Sequence, residues 1–299
     1  MPSPRSEPLS AFRNVVCGAA ASLAVAVPAL GAGAPMRLAD TGTTSSRVFA
    51  ELATQALTAQ GFTVTRTTAS SPLAAQADLT AGLIDAYTTD TATLLERVLA
   101  HAKERDEGAL STALTSLLAA RGQVPLATDL ADDAPQVACR KPVVRAHKLT
   151  GVLSLGKAAP NLSYAAPAAH LIRADGLASL RVRFRKVVRA NGTTRFDLIA
   201  RSKVHCVLSS GAEPRAARLN LVALRDLTRR LAGTPRHDVL VSRQAYVAGA
   251  PAPLVPTMTQ VAGLVSTDVL RTLAGQVDLD AQDPALVAQG FLRANGIIP

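Results

Sequence analysis

Histidines stand at positions 101, 147, 170, 205 and 237, and neither they nor the carboxylates form a His-Glu-x-x-His, a Cys-x-x-Cys or another cluster at metal-ligating spacing. Cys206 beside His205 is a nucleophile next to a base, but successive residues of a strand face opposite sides of a sheet, so the two cannot act together. No Gly-x-Ser-x-Gly elbow and no glycine-rich phosphate loop follows a strand. These absences argue against an enzyme, a metal site and a bound cofactor. The remaining covalent chemistry is that of the cysteines, at 17, 139 and 206.

Cys17 falls in a segment that reads as a secretory signal. Arg5 and Arg13 precede an apolar run from Val15 to Leu30, followed by Gly31, Ala32, Gly33 and Ala34. The run is short for a membrane span, and Cys17 lacks the small residues and leucine that precede a lipoprotein cysteine. The expectation is a signal over residues 1–34 with cleavage after Ala32 or Ala34, and a soluble periplasmic or secreted protein that keeps Cys139 and Cys206. An exported chain with two cysteines can pair them. Each lies in an apolar strand-like stretch, which suits neighbouring strands of one sheet, and two inert buried thiols are the alternative.

The formal net charge is +10, and an excess of this kind suits nucleic acid, an anionic membrane, or simply a solvated surface. Arg181, Arg183, Arg185, Lys186 and Arg189 gather in one stretch with a single interleaved aromatic, Phe184, which is too few for a platform on which successive bases could stack. The basic surface is therefore read as solvated, with no nucleic-acid partner.

Elements alternate along the chain. Met36 to Ala39 reads as a strand, and Ser45 to Gln60 as a helix with apolar residues at Val48, Phe49, Leu52, Ala56 and Leu57. Phe62 to Thr65 is a second strand after Gly61. A helix from Pro72 to Ala81, a strand from Leu83 to Tyr87 and helices over 91–103 and 108–121 continue the βαβ pattern. Asp132-Asp133-Ala134-Pro135 breaks it. Strands at 136–140, 161–165, 185–189, 204–208 and 219–224 follow, with short helices at 151–158 and 197–200. Gly233-Thr234-Pro235 is a second break, before a strand at 239–241 and helices at 258–273 and 284–294. The expectation is two doubly wound α/β lobes, residues 36–133 with 236–299 and residues 134–235, joined by a two-crossing hinge over a cleft.

Several stretches resemble the substrate-binding proteins of ABC importers for glycine betaine, choline and carnitine. Gly275-Gln276-Val277-Asp278-Leu279-Asp280, Asp283-Pro284-Ala285-Leu286-Val287-Ala288 and Asn295-Gly296-Ile297-Ile298 are similar to the family's C-terminal end. Gly82 to Tyr87 with Thr91-Ala92-Thr93, and Ala165-Ala166-Pro167 with Arg173-Ala174-Asp175-Gly176-Leu177, match further motifs in the family's order. Ala50-Glu51-Leu52 and Arg140-Lys141 add to the spread. The resemblance implies a type II periplasmic-binding-protein fold, a small zwitterionic or cationic solute, an ABC permease as membrane partner, and a monomer.

In that family a cage of tyrosines holds the trimethylammonium head by cation–π attraction, and Arg, Lys and Thr hold the carboxylate. By resemblance Arg173 and Thr93 take the arginine and threonine positions, and Thr41 replaces the lysine. A guanidinium fork suits a carboxylate. The cage positions carry Asp90, Pro135, Ser210 and Arg236, and none of the three tyrosines, Tyr87, Tyr164 and Tyr246, falls at one. Two readings of the ligand stay open. Either an osmoprotectant binds with Asp90 as its negative partner, or the site has changed to an amino-acid-like zwitterion whose N–H groups prefer a carboxylate. A degenerate module acting in sensing or protein interaction is the rival role. Asp90 is also a natural cap for a helix starting at Thr91, Arg173 could be a loop arginine, and Arg236 could pair with Asp238.

Overall fold

The computed structural model describes residues 35–173 and 176–299, so the expected signal and Cys17 lie outside the described residues. Among the described residues, ten strands form two five-stranded mixed sheets. The first contains β1 (Met36–Asp40), β2 (Val64–Thr68), β3 (Ala86–Asp90) and β4 (Gln123–Thr128). The second contains β5 (Pro135–Arg140), β6 (Ser163–Ala166), β7 (Lys186–Arg189), β8 (Cys206–Ser210) and β9 (Leu221–Ala223), and β10 (Asp238–Arg243) returns to the first.

The two sheets share one plan. The first has the order β2-β1-β3-β10-β4, and the second β7-β6-β8-β5-β9. In each, three strands are parallel and the fourth in order is antiparallel to both neighbours. That antiparallel strand is the one entered from the opposite sheet, β5 after the first break and β10 after the second.

Each sheet is covered on both faces. Met36 and Leu38 of β1 pack with Phe49, Leu52 and Met258 on one side, while Ala39 packs with Leu94, Leu110 and Leu114 on the other, as the two-residue strand period requires. Val137, Cys139 and Tyr164 likewise oppose Ala138, Ala165 and Val207 in the second sheet. The helix Thr44–Ala59 buries Val48, Phe49, Leu52, Ala53, Ala56 and Leu57 along one stripe, and Thr43 caps it by accepting from the Ser46 amide at 3.2 Å. The helices Leu254–Leu264, Thr267–Asp278 and Pro284–Ala294 pack against it. Cys139 and Cys206, directly opposite in the β5–β8 register, are joined by a disulfide.

Several boundaries differ from expectation. β2 and β3 lie later than predicted, because polar residues of β3 find partners that no local pattern reveals. Thr88, fully buried, donates its hydroxyl to the Ser46 carbonyl at 3.0 Å. β4 is an additional strand; its Pro125 is tolerated because β4 is an edge. The predicted helix over 91–103 stops at Val98, in a five-residue π turn, Leu94–Val98. The single helix predicted over 258–273 is two, broken at Val265 and Ser266, where the Val265 carbonyl accepts from the Leu130 amide and Ser266 caps the second helix.

Candidate functional site

Two chain crossings connect the sheets, and they are bonded to each other. The Asp129 amide donates to the Asp238 carbonyl at 2.9 Å and the Asp133 amide to the Arg236 carbonyl at 2.8 Å. Side chains reinforce this, with the Arg236 amide donating to Asp132 Oδ1 and the Asp238 amide to Asp129 Oδ1, both at 3.0 Å. Thr91 clasps the return crossing by donating its hydroxyl to the Pro235 carbonyl at 2.7 Å and its amide to the His237 carbonyl at 2.9 Å. Gly211, at the end of β8, touches the first crossing so closely that a Cβ there would stand 1.9 Å from the Asp132 carbonyl oxygen.

Beside these crossings lies a cleft of about 260 Å³. Its wall on the first-sheet side includes Ala92, Glu96 and Lys103, the second-sheet side includes Pro167, His170 and Arg173, and the return crossing supplies Thr234 and Arg236. The volume is below the range of pockets that take drug-sized molecules and suits a solute of amino-acid size. The Thr234 hydroxyl donates to Glu96 Oε1 at 2.6 Å, so a residue of the crossing orients a carboxylate carried by the π turn.

Of the site residues expected from sequence, Arg173 and Arg236 border this cleft, as does Pro135. Asp90, Thr93, Thr41 and Ser210 are not among the residues bordering it. Asp90 caps the helical turn Thr91–Thr93 by accepting from the Thr93 amide at 2.9 Å. Arg236 stands 3.9 Å from Asp90, so the partner of Arg236 is Asp90 where Asp238 had been the alternative. Thr41 donates its hydroxyl to the Thr88 carbonyl of β3 at 3.1 Å and its amide to Ser46 Oγ at 3.0 Å, which ties it to β3 and to the start of the first long helix. Ser210 accepts at its carbonyl from Gln136 Nε2 at 2.6 Å. Glu96, Lys103 and His170 were not anticipated; only Thr234, between Gly233 and Pro235 in the second break, offered a clue.

Among the described residues bordering the cleft there is no phenyl or phenol ring. Tyr87 is buried and donates to Gln76 Oε1 at 2.9 Å. Tyr164 is buried behind the cleft, stacked on Phe184 at 4.9 Å between centroids, with its hydroxyl 3.2 Å from His170 Nε2. Tyr246 packs against the core of the first sheet.

The base of the crossings holds two buried acids. Asp129 and Asp238 each have a buried Oδ2 without a hydrogen-bond partner. Burial raises the Asp129 carboxyl from its ordinary 3.8 to about 8, against the bonds from the Asp238 and Ala131 amides. Burial, and then the Asp129 charge, raise Asp238 as well. The pair is held toward its protonated form. His205 donates or accepts at Nδ1 with the Ser163 hydroxyl at 2.7 Å, while its neighbour Cys206 is in the disulfide, so the two form no nucleophile–base pair. Among the described residues no group of three His, Cys, Asp or Glu side chains is arranged to hold a metal ion, and no helix is long and apolar enough to cross a membrane.

Two helix-covered mixed β-sheets joined by paired crossings, with a small cleft bordered by Glu96, Arg173 and Arg236, define a hinged solute-binding protein. The family described as the substrate-binding domain of ABC-type glycine betaine transport systems matches residues 34–294, and the chain belongs to that family. A solved glycine betaine/carnitine/choline ABC transporter structure superposes with a TM-score of 0.80 at 18% identity, covering 88% of this chain and 99% of that one. Apo YehZ from Escherichia coli gives 0.75 at 16% identity, with 88% and 99% covered. Lactococcal OpuAC, closed on glycine betaine, gives 0.58 at 12% identity, with 88% and 96% covered. These likenesses establish the type II periplasmic-binding-protein fold. No curated protein matches the chain in sequence. The family consists of binding components that act with an ABC permease.

Proposed function

We propose that this protein is an exported, monomeric solute-binding component that carries a small zwitterion to its permease without converting it or contacting nucleic acid. Residues 1–34 would direct export, and residues 36–133 with 236–299 and residues 134–235 would be the two lobes that close on the ligand. The observation that carries this reading is the convergence of Arg173 and Arg236 with Glu96 in one amino-acid-sized cleft beside the crossings. The arginines suit a carboxylate by fork-like hydrogen bonding, and Glu96 suits an ammonium. A ligand that touches both walls binds the closed arrangement better than the open one, and that difference drives closure.

Isothermal titration with glycine betaine, choline, carnitine, proline and small amino acids tests the reading. Arg173→Ala is expected to abolish binding of whichever of these binds, with little change in melting temperature. Heats absent for every one of them, or an unchanged affinity in Arg173→Ala, would refute it.

A further inference from the structure

We infer that Glu96 makes this cleft selective for an ammonium that still carries N–H, so that the ligand is a primary, secondary or tertiary amino acid and not a fully methylated betaine. This rests on the zwitterion reading above and specifies the cation end of the same site.

Three observations support it. First, the cleft lacks the feature a quaternary ammonium requires. Such a group donates no hydrogen bond and is stabilised by aromatic faces, yet among the described bordering residues none is Phe, Tyr or Trp. The three tyrosines of the chain are committed to the cores or to a position behind the wall.

Second, Glu96 is the single carboxylate among the described bordering residues. Its Oε1 accepts from Thr234 at 2.6 Å, which fixes the carboxylate plane, and no Lys, Arg or His among the described residues forms an ion pair with it. The second oxygen and the remaining lone pairs are acceptors. A half-buried acceptor set is best matched by a charged donor, because N⁺–H to carboxylate bonds are shorter and stronger than neutral ones.

Third, the local fold presents Glu96 deliberately. In a regular α-helix running on from Thr91, residue 96 would follow the 3.6-residue spiral. Here Leu94–Val98 forms a π turn, a geometry that recurs at functional sites, with Leu94 and Leu95 buried beneath it. The wider turn carries Glu96 at the face where the return crossing brings Thr234. A site built to hydrogen-bond an N–H discriminates strongly against the analogue that lacks it, since the acceptor is then desolvated without a partner.

The test uses matched pairs that share a carboxylate and carbon skeleton and differ only in whether nitrogen keeps a hydrogen: N,N-dimethylglycine against glycine betaine, and proline against N,N-dimethylproline. Titration calorimetry on the full-length mature protein is expected to give the N–H member at least about tenfold tighter binding in the pair that fits the cleft. Glu96→Gln keeps the acceptor for Thr234 and removes the charge, and should reduce that ratio to within about threefold at unchanged melting temperature. Equal or tighter binding of the methylated member, or a ratio that Glu96→Gln leaves unchanged, overturns the assignment of Glu96 while leaving the zwitterion reading intact. Absence of binding by all four solutes overturns the zwitterion reading and the assignment of Glu96 with it.

Discussion

Replacing Asp129 with Asn should stabilise this protein at neutral pH and make its stability less sensitive to pH. Asp129 is buried at the root of the first crossing; its Oδ1 accepts from the Asp238 amide at 3.0 Å and the Ala131 amide at 3.2 Å, and its Oδ2 has no partner. Burial raises its carboxyl from 3.8 to about 8. In the unfolded chain the same group ionises near its ordinary value. Between about pH 4 and pH 8 the folded state therefore holds a proton that the unfolded state has released, so stability falls as pH rises, by about 1.4 kcal/mol per unit, and levels off above the folded value. At pH 7, about three units above 3.8, the ceiling of this loss is about 4 kcal/mol relative to a side chain that does not titrate. Asn keeps the acceptor oxygen and places an amide nitrogen near the Asp238 carboxyl. Asp129→Asn should gain at least about 2 kcal/mol at pH 7, or about 4–8 °C in melting temperature, and nothing at pH 4. Thermal unfolding followed by circular dichroism from pH 4 to 8.5 measures both. A variant less stable than the parent at pH 7, with the same slope against pH, would refute the assignment of a retained proton.

Two further predictions concern the fold alone. The Cys139–Cys206 disulfide closes a span of 67 residues, for which chain entropy predicts a contribution of about 4 kcal/mol; the Cys139→Ala, Cys206→Ala double variant should unfold at correspondingly lower denaturant, and an unchanged midpoint would show that the cross-link constrains nothing. Gly211→Ala sets a methyl against the Asp132 carbonyl and should cost more than about 2 kcal/mol by forcing the crossing away from β8; a change below about 0.5 kcal/mol in equilibrium unfolding would mean that the crossing yields freely.

The first long helix, and the Asp-Asp-Ala-Pro and Gly-Thr-Pro runs at which the chain passes between sheets, were legible in the sequence, because apolar spacing and turn residues are local signals. The helix Thr44–Ala59 lies within a residue of its expected bounds. What escaped was set by tertiary partners. β3 extends through Thr88 and Thr89, polar residues whose burial depends on Ser46 across the core, and Pro125 in β4 is acceptable only on an edge that sequence does not mark. The same holds for the cleft. Arg173 and Arg236, singled out by resemblance, border the cleft, and Asp90 caps the turn that starts at Thr91. Glu96 and Lys103 look, as residues in a row, like ordinary charges on a solvated helix. Only the π turn and the chain's return after Pro235 bring Glu96 to Thr234.

The insertion of β10 between β3 and β4 has a consequence for the order in which the molecule can be made. The first sheet begins at residue 36, yet β4 has no neighbour in it until residues 238–243 arrive, more than three quarters of the way along the 299-residue chain. Until then β3 presents an open edge, and the helices that cover β1 from residue 254 onward are also missing. Pairings this distant in sequence form slowly, because loop closure is unfavourable before contact is gained. A growing chain would thus have no early stopping point at which its first half is complete. The second sheet, drawn wholly from residues 135–223, can assemble earlier, whereas the first is completed only once nearly all of the chain is available.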